Sequence, residues 1–251
     1  MLRTPAWANT WTVLRAIAAA LITAAIVAQA DVTIGGAISG GRDVGTTIAN
    51  FFSFFTILSN VLSVIVLAWA IVWFWSRGRV KISPEPRALG IALASVTTYM
   101  VITGIVYNTL LRGIPLPQGS TVPWSNEVLH VVAPLFLLAD LFLGPRRRCL
   151  GWGAIGAVLG FPLAWVIYTM VRGPLVTNPG TGAPYWYPYP FLDPHSATTG
   201  GYLGVVAYIV GIAVGIAVVA AIVVAVGRSR GKPHRDARTP VPATAESQPR
   251  D

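Results

Sequence analysis

Residues 124–143 read WSNEVLHVVAPLFLLADLFL, and the fold turns on how this stretch is read. Its length and apolar content suit a helix crossing the hydrocarbon core of a bilayer. Yet it carries His130, with Glu127 three residues earlier on the same helical face. Ionisable groups within a span face the interior of a bundle or a watery cavity, because lipid cannot solvate them. The stretch therefore implies partner helices around it and a candidate site on its inner face.

Five further runs have spanning length: Trp11 to Ala30, Phe52 to Trp75, Ala88 to Leu111, Leu150 to Val171 and Tyr202 to Val226. With 54% hydrophobic and 11% charged residues among 251, the chain is not composed like a soluble domain, and its connections are too short to hold one. The expected fold is all-α: a polytopic membrane protein with six transmembrane helices in one bundle over residues 1–226. A basic, Pro-rich tail over residues 227–251 is expected to be disordered and held near anionic lipid headgroups.

The formal charge of +9 raises the question of nucleic acid, and its placement answers with the membrane. Fifteen of the eighteen basic residues fall on one side of this topology, leaving Arg42, Arg112 and Arg172 on the other. The positive-inside rule then puts both termini in the cytoplasm. Arg far outnumbers Lys, and Ala, Val, Gly and Pro abound, a coding bias that points to a bacterial plasma membrane. Ala28-Gln29-Ala30 resembles a signal-peptidase site, but the long leading segment with Trp7 and Trp11 favours an uncleaved helix. Cys149, the single cysteine, excludes an internal disulfide and a cysteine-based metal cluster.

In the second span, helical spacing puts Ser53, Thr56, Asn60 and Ser63 on one stripe. The third carries Thr97, Thr98, Tyr99, Thr103, Tyr107 and Asn108, polarity that bonding between helices would satisfy. Gly156 with Gly160, and Gly211 with Gly215, have the spacing that lets helices approach closely. Residues 31–50 read as a mobile exterior loop. The last exterior loop, Arg172 to Gly201, is stiffened by proline and rich in aromatics, suited to lying over the bundle mouth as a lid or an interfacial anchor. Tyr187, Asp193 and His195 are its candidates for gating.

Thr56 and His130 both lie one to two turns below the exterior surface. A hydroxyl and an imidazole at one depth are the parts of a nucleophile and general-base pair if their helices are neighbours. Ser59, Asn60 and Asn126 sit within a turn of them and are candidate oxyanion donors, and Glu127 is a candidate orienter of His130. Asp140 falls close to Arg146, Arg147 and Arg148 and reads as an ion partner at the inner interface. A haem lacks a second histidine within a span, and a zinc site lacks ligands, so no cofactor or metal is expected. The competing reading is a non-enzymatic membrane binder or proton-coupled carrier that titrates Glu127 and His130.

Three segments, FFTILSN in the second span, NEVLHVVAPLFLLAD in the fourth and WYPYPFLDP before the sixth, together resemble the Pr6Pr group of bacterial six-helix membrane proteins. That group is similar to the animal androgen-induced (AIG/FAR-like) integral-membrane hydrolases, threonine enzymes acting on fatty-acid esters of hydroxy fatty acids. The resemblance spans about residues 10 to 226. It implies Thr56 as nucleophile, His130 as its base and a matching Asn126, acting on a fatty-acyl ester; the depth of the pair points to a lipid substrate drawn from the outer leaflet.

Overall fold

A computed structural model describes residues 4–80, 84–114 and 121–231, all helical or irregular, with no strand among them. The helices are α1 (Pro5–Ser39), α2 (Val44–Phe51), α3 (Phe55–Trp73), α4 (Arg87–Val106), α5 (Pro123–Glu127), α6 (Ala133–Leu143), α7 (Ala154–Arg172) and α8 (Tyr202–Gly231). Wider turns extend α3 through Gly78 and α4 through Leu111, and a third joins α5 to α6. Six of the resulting rods are long and apolar enough to cross a membrane. α4 is the central one, packing on α3, α6, α7 and α8, while α1 closes against α3.

α1 differs most from expectation. Thr4 caps it by accepting from the Trp7 backbone N–H, Pro5 opens its first turn, and it then runs for 35 residues. At 1.5 Å per residue that is on the order of 50 Å, well beyond a hydrocarbon core. The segment expected to be a loop over residues 31–50 is thus mostly helix: α1 runs to Ser39, and α2, capped by Asp43, follows directly. Gly35 and Gly36 each cost only about 1 kcal/mol within a helix and do not stop it. The stop is the Gly40-Gly41 pair, where Gly41 takes a φ of +62°. At the other terminus α8 continues past the boundary expected at Val226, to Gly231. The tail beyond it, like Lys81, lies outside the described residues.

Two prolines inside helices shape the core. Pro162 has no N–H for the Val158 carbonyl four residues earlier, and the Tyr99 hydroxyl of α4 donates to that oxygen at 2.7 Å. Pro134 likewise strands the carbonyl of His130, and the chain there widens into a π turn over Val128–Val132. Asn108 of α4 donates to the freed His130 oxygen at 3.3 Å. α4 comes this close because Gly104 faces Pro134: an added Cβ would sit 3.1 Å from the proline Cβ. The glycines singled out by spacing play no such part. A Cβ on Gly156, Gly160 or Gly211 would meet nothing within 4 Å, and one on Gly215 would make only ordinary contact with Ile102 at 3.8 Å.

One end of the bundle is tied by charge. Asp140, wholly buried, accepts from Arg15 Nε at 2.8 Å, from Arg15 Nη2, from Arg147 and from the Trp11 indole. Beside it the Glu85 backbone N–H donates to the Arg146 carbonyl, and Arg148 returns bonds to Glu85. Glu85 is buried, and desolvation raises its pKa above the ordinary carboxyl value, opposed by the nearby Arg147 and Arg15. Asp140 is thus the ion partner that its neighbouring arginines suggested, with Arg15 as an added partner.

Candidate active site

At the opposite end, α3 starts at Phe55, so Thr56 stands in its first turn; the π turn presents His130 from the facing helix. Thr56 Oγ1 lies 3.2 Å from His130 Nε2, and both residues are buried. The second ring nitrogen fixes the proton's place. His130 Nδ1 is 2.9 Å from the Asn126 carbonyl oxygen, which can only accept, so Nδ1 bears the hydrogen and, in the neutral ring, Nε2 offers its lone pair to Thr56. The imidazole stacks on the Tyr107 ring at 3.8 Å between centroids, and the Asn126 amide donates to the Tyr107 hydroxyl. The ring is held in plane, in tautomer and in register with the hydroxyl.

A third group arrives from the loop after α7. Tyr189 is buried, its hydroxyl 3.3 Å from Thr56 Oγ1 and accepting from the Thr56 backbone N–H at 3.2 Å. Burial raises the phenol's pKa above its ordinary value, so it remains a neutral O–H. Aromatic packing carries it there: Tyr189 stacks on Phe191 and meets Phe54 edge-on, and Phe54 also meets Trp186 edge-on. The loop docks where the Trp186 N–H donates to the Gly173 carbonyl, and the Tyr187 ring lies so close to Gly173 that no side chain fits there. Sequence reading passed over Tyr189. Its signal was the alternation of Trp186, Tyr187, Tyr189 and Phe191 with prolines, which marks a loop built to bury aromatics rather than expose them.

The remaining candidates divide. Ser59 donates to the Thr56 carbonyl, and both amide hydrogens of Asn60 are engaged by the Thr56 and Leu129 carbonyls. The Asn126 amide is engaged by Tyr107. The donors of Ser59 and Asn60 are therefore committed and brace the backbone around the dyad instead of facing an oxyanion, while Asn126 steadies the Tyr107 ring that stacks on His130. The free side-chain oxygen of Asn60 finds no partner among the described residues. Glu127 does not orient His130. Its carboxylate is bound in a two-pronged ion pair by Arg112 at 2.8 and 3.1 Å, with both side chains about half exposed. Tyr187 serves the Gly173 docking, while Asp193 and His195 pair with each other on the exposed side of the loop, His195 stacked on Tyr185.

Thr56 and Tyr189, with Thr103 and Tyr107, supply the few polar groups of a cavity of about 280 Å³ among α3, α4, α7 and α8. Its wall is otherwise almost wholly apolar, including Ile102, Val106, Leu159, Leu163, Ile212 and Ile216. Leu163 and Ala213, both in that wall, are also exposed on the outer surface of the bundle. The cavity thus opens sideways along the seam of α7 and α8. Among the described residues, no three His, Cys, Asp or Glu side chains come together as a metal site would require.

Helix length and hydropathy make this chain a multi-pass helical membrane protein. Comparison with known proteins finds no family model, no curated protein and no solved structure that matches it.

Proposed function

We propose that this protein is a membrane-embedded hydrolase of fatty-acyl esters, with Thr56 as nucleophile and His130 as general base. The observation that carries the reading is the 3.2 Å contact of Thr56 Oγ1 with the acceptor nitrogen of His130, beside an apolar cavity that Thr56 helps to line. An ester enters from the bilayer and lays its acyl chain in the cavity. His130 Nε2 takes the Thr56 proton as Oγ1 bonds to the carbonyl carbon. The Thr56 backbone N–H and the Tyr189 hydroxyl, released from each other, stabilise the oxyanion. Its collapse breaks the bond to the alcohol oxygen, which receives the proton from His130. Water, deprotonated in turn by His130, attacks the acyl-threonine, and Thr56 regains its proton as the fatty acid departs.

The likeness of FFTILSN and NEVLHVVAPLFLLAD to the Pr6Pr group supports the same two residues, and makes fatty-acid esters of hydroxy fatty acids the first substrates to try. The outer leaflet of a bacterial plasma membrane is the source that fits, since the basic cluster lies at the opposite end from Thr56. The carrier reading would use Glu127 and His130 together, and Glu127 is engaged with Arg112. Hydrolysis of a panel of fatty-acyl esters by purified protein tests the proposal. Thr56→Ala and His130→Ala should each lower the rate by on the order of a thousandfold with the fold intact. Full activity in either folded variant overturns it.

A further inference from the structure

The cavity beneath Thr56 has a floor, and the floor sets a length. From the level of Ile209 to Ile216 on α8, and from Val166 to Leu159 on α7, its lining descends about 10 Å at 1.5 Å per residue. Ile102 and Ile216, both buried, line its lower end, and Ile102 Cδ1 lies 3.8 Å from where a Cβ on Gly215 would sit. One turn deeper, below the last residues of the lining, the Tyr99 hydroxyl binds the carbonyl that Pro162 frees on Val158 and so ties α4 to α7. Tyr99 also packs on Phe161, its ring 5.3 Å away.

Resting on the hydrolase reading, we infer that Ile102, Leu159 and Ile216 act as a ruler that selects a single unbranched acyl chain of medium length. An extended acyl chain laid along the full height of this lining spans it with roughly eight to ten carbons. The α7–α8 seam at Leu163 and Ala213 admits it from the bilayer. A longer chain has to bend out through that seam and gains nothing further from the floor.

The test uses two readouts on full-length protein in detergent. Saturated fatty acids of four to sixteen carbons compete with a fluorescent fatty acid for the Thr56→Ala variant, and the matching p-nitrophenyl esters are offered to the protein with Thr56. Affinity should rise about fourfold per added carbon, the worth of one buried methylene, and stop rising near eight to ten. Ile216→Trp should move that break to shorter chains, and Ile102→Ala to longer ones. Affinity that climbs smoothly to sixteen carbons, or a break that neither folded variant moves, overturns the ruler. A break in binding without hydrolysis of any ester upholds the ruler and defeats the hydrolase reading. Hydrolysis that depends on Thr56 but shows no break defeats the ruler alone.

Discussion

The bundle buries two polar clusters, one toward each end, and they are built on opposite principles. Around Asp140 the groups are charged, and the carboxylate is surrounded by Arg15, Arg147 and the Trp11 indole. Around Thr56 the groups are neutral, bonded through hydroxyls, an imidazole and backbone atoms, and they border a cavity. A buried charge is tolerated when it is fully paired, and such pairing locks helices together. A neutral relay beside empty space can exchange partners without leaving a charge stranded. The first cluster holds the bundle, and the second has the freedom that the proposed hydrolysis would need.

Breaking the charged cluster should have the largest effect. Asp140→Ala leaves Arg15 and Arg147 without their carboxylate, and should cost about 3–5 kcal/mol, measured by denaturant unfolding in detergent. Replacing all three ions together, Arg15→Met and Arg147→Met with Asp140→Leu, should restore much of that loss, since none of the three is then left without its partner. In the neutral cluster Tyr189→Phe should leave the fold within about 1 kcal/mol and lower kcat by roughly ten- to a hundredfold, with KM little changed, because its hydroxyl is needed most in the transition state. The smallest effect should come from Asn108→Ala. It removes the bond to the carbonyl that Pro134 frees and should cost about 1 kcal/mol, with a rate loss of a few fold as His130 loosens. An Asn108 variant as damaging as Asp140→Ala would blur the distinction between the clusters.

Much of this was legible in the chain. The six spans follow from apolar length, and the shared depth of Thr56 and His130 from the direction of their helices. The role of Asp140 followed from the three arginines after it, but not its partner Arg15, which in sequence is only one basic residue near the N-terminus. Tyr189 was hidden for a related reason: it reaches Thr56 across 133 positions, and no periodicity reports such a contact. Prolines carried more than was drawn from them. Pro134 and Pro162 each announce a carbonyl in need of a donor, and α4 supplies both donors. The glycine spacings misled because a small-residue pattern shows that helices can approach, not that a neighbour is there.

The most direct test of an activated threonine is covalent. Purified protein in detergent is treated with a fluorophosphonate probe, and the modified residue is mapped by mass spectrometry. Modification at Thr56 that is lost in His130→Ala is the expected result, because only a hydroxyl relieved of its proton attacks the phosphorus at a useful rate. Labelling elsewhere, or labelling of Thr56 that persists without His130, would contradict the dyad.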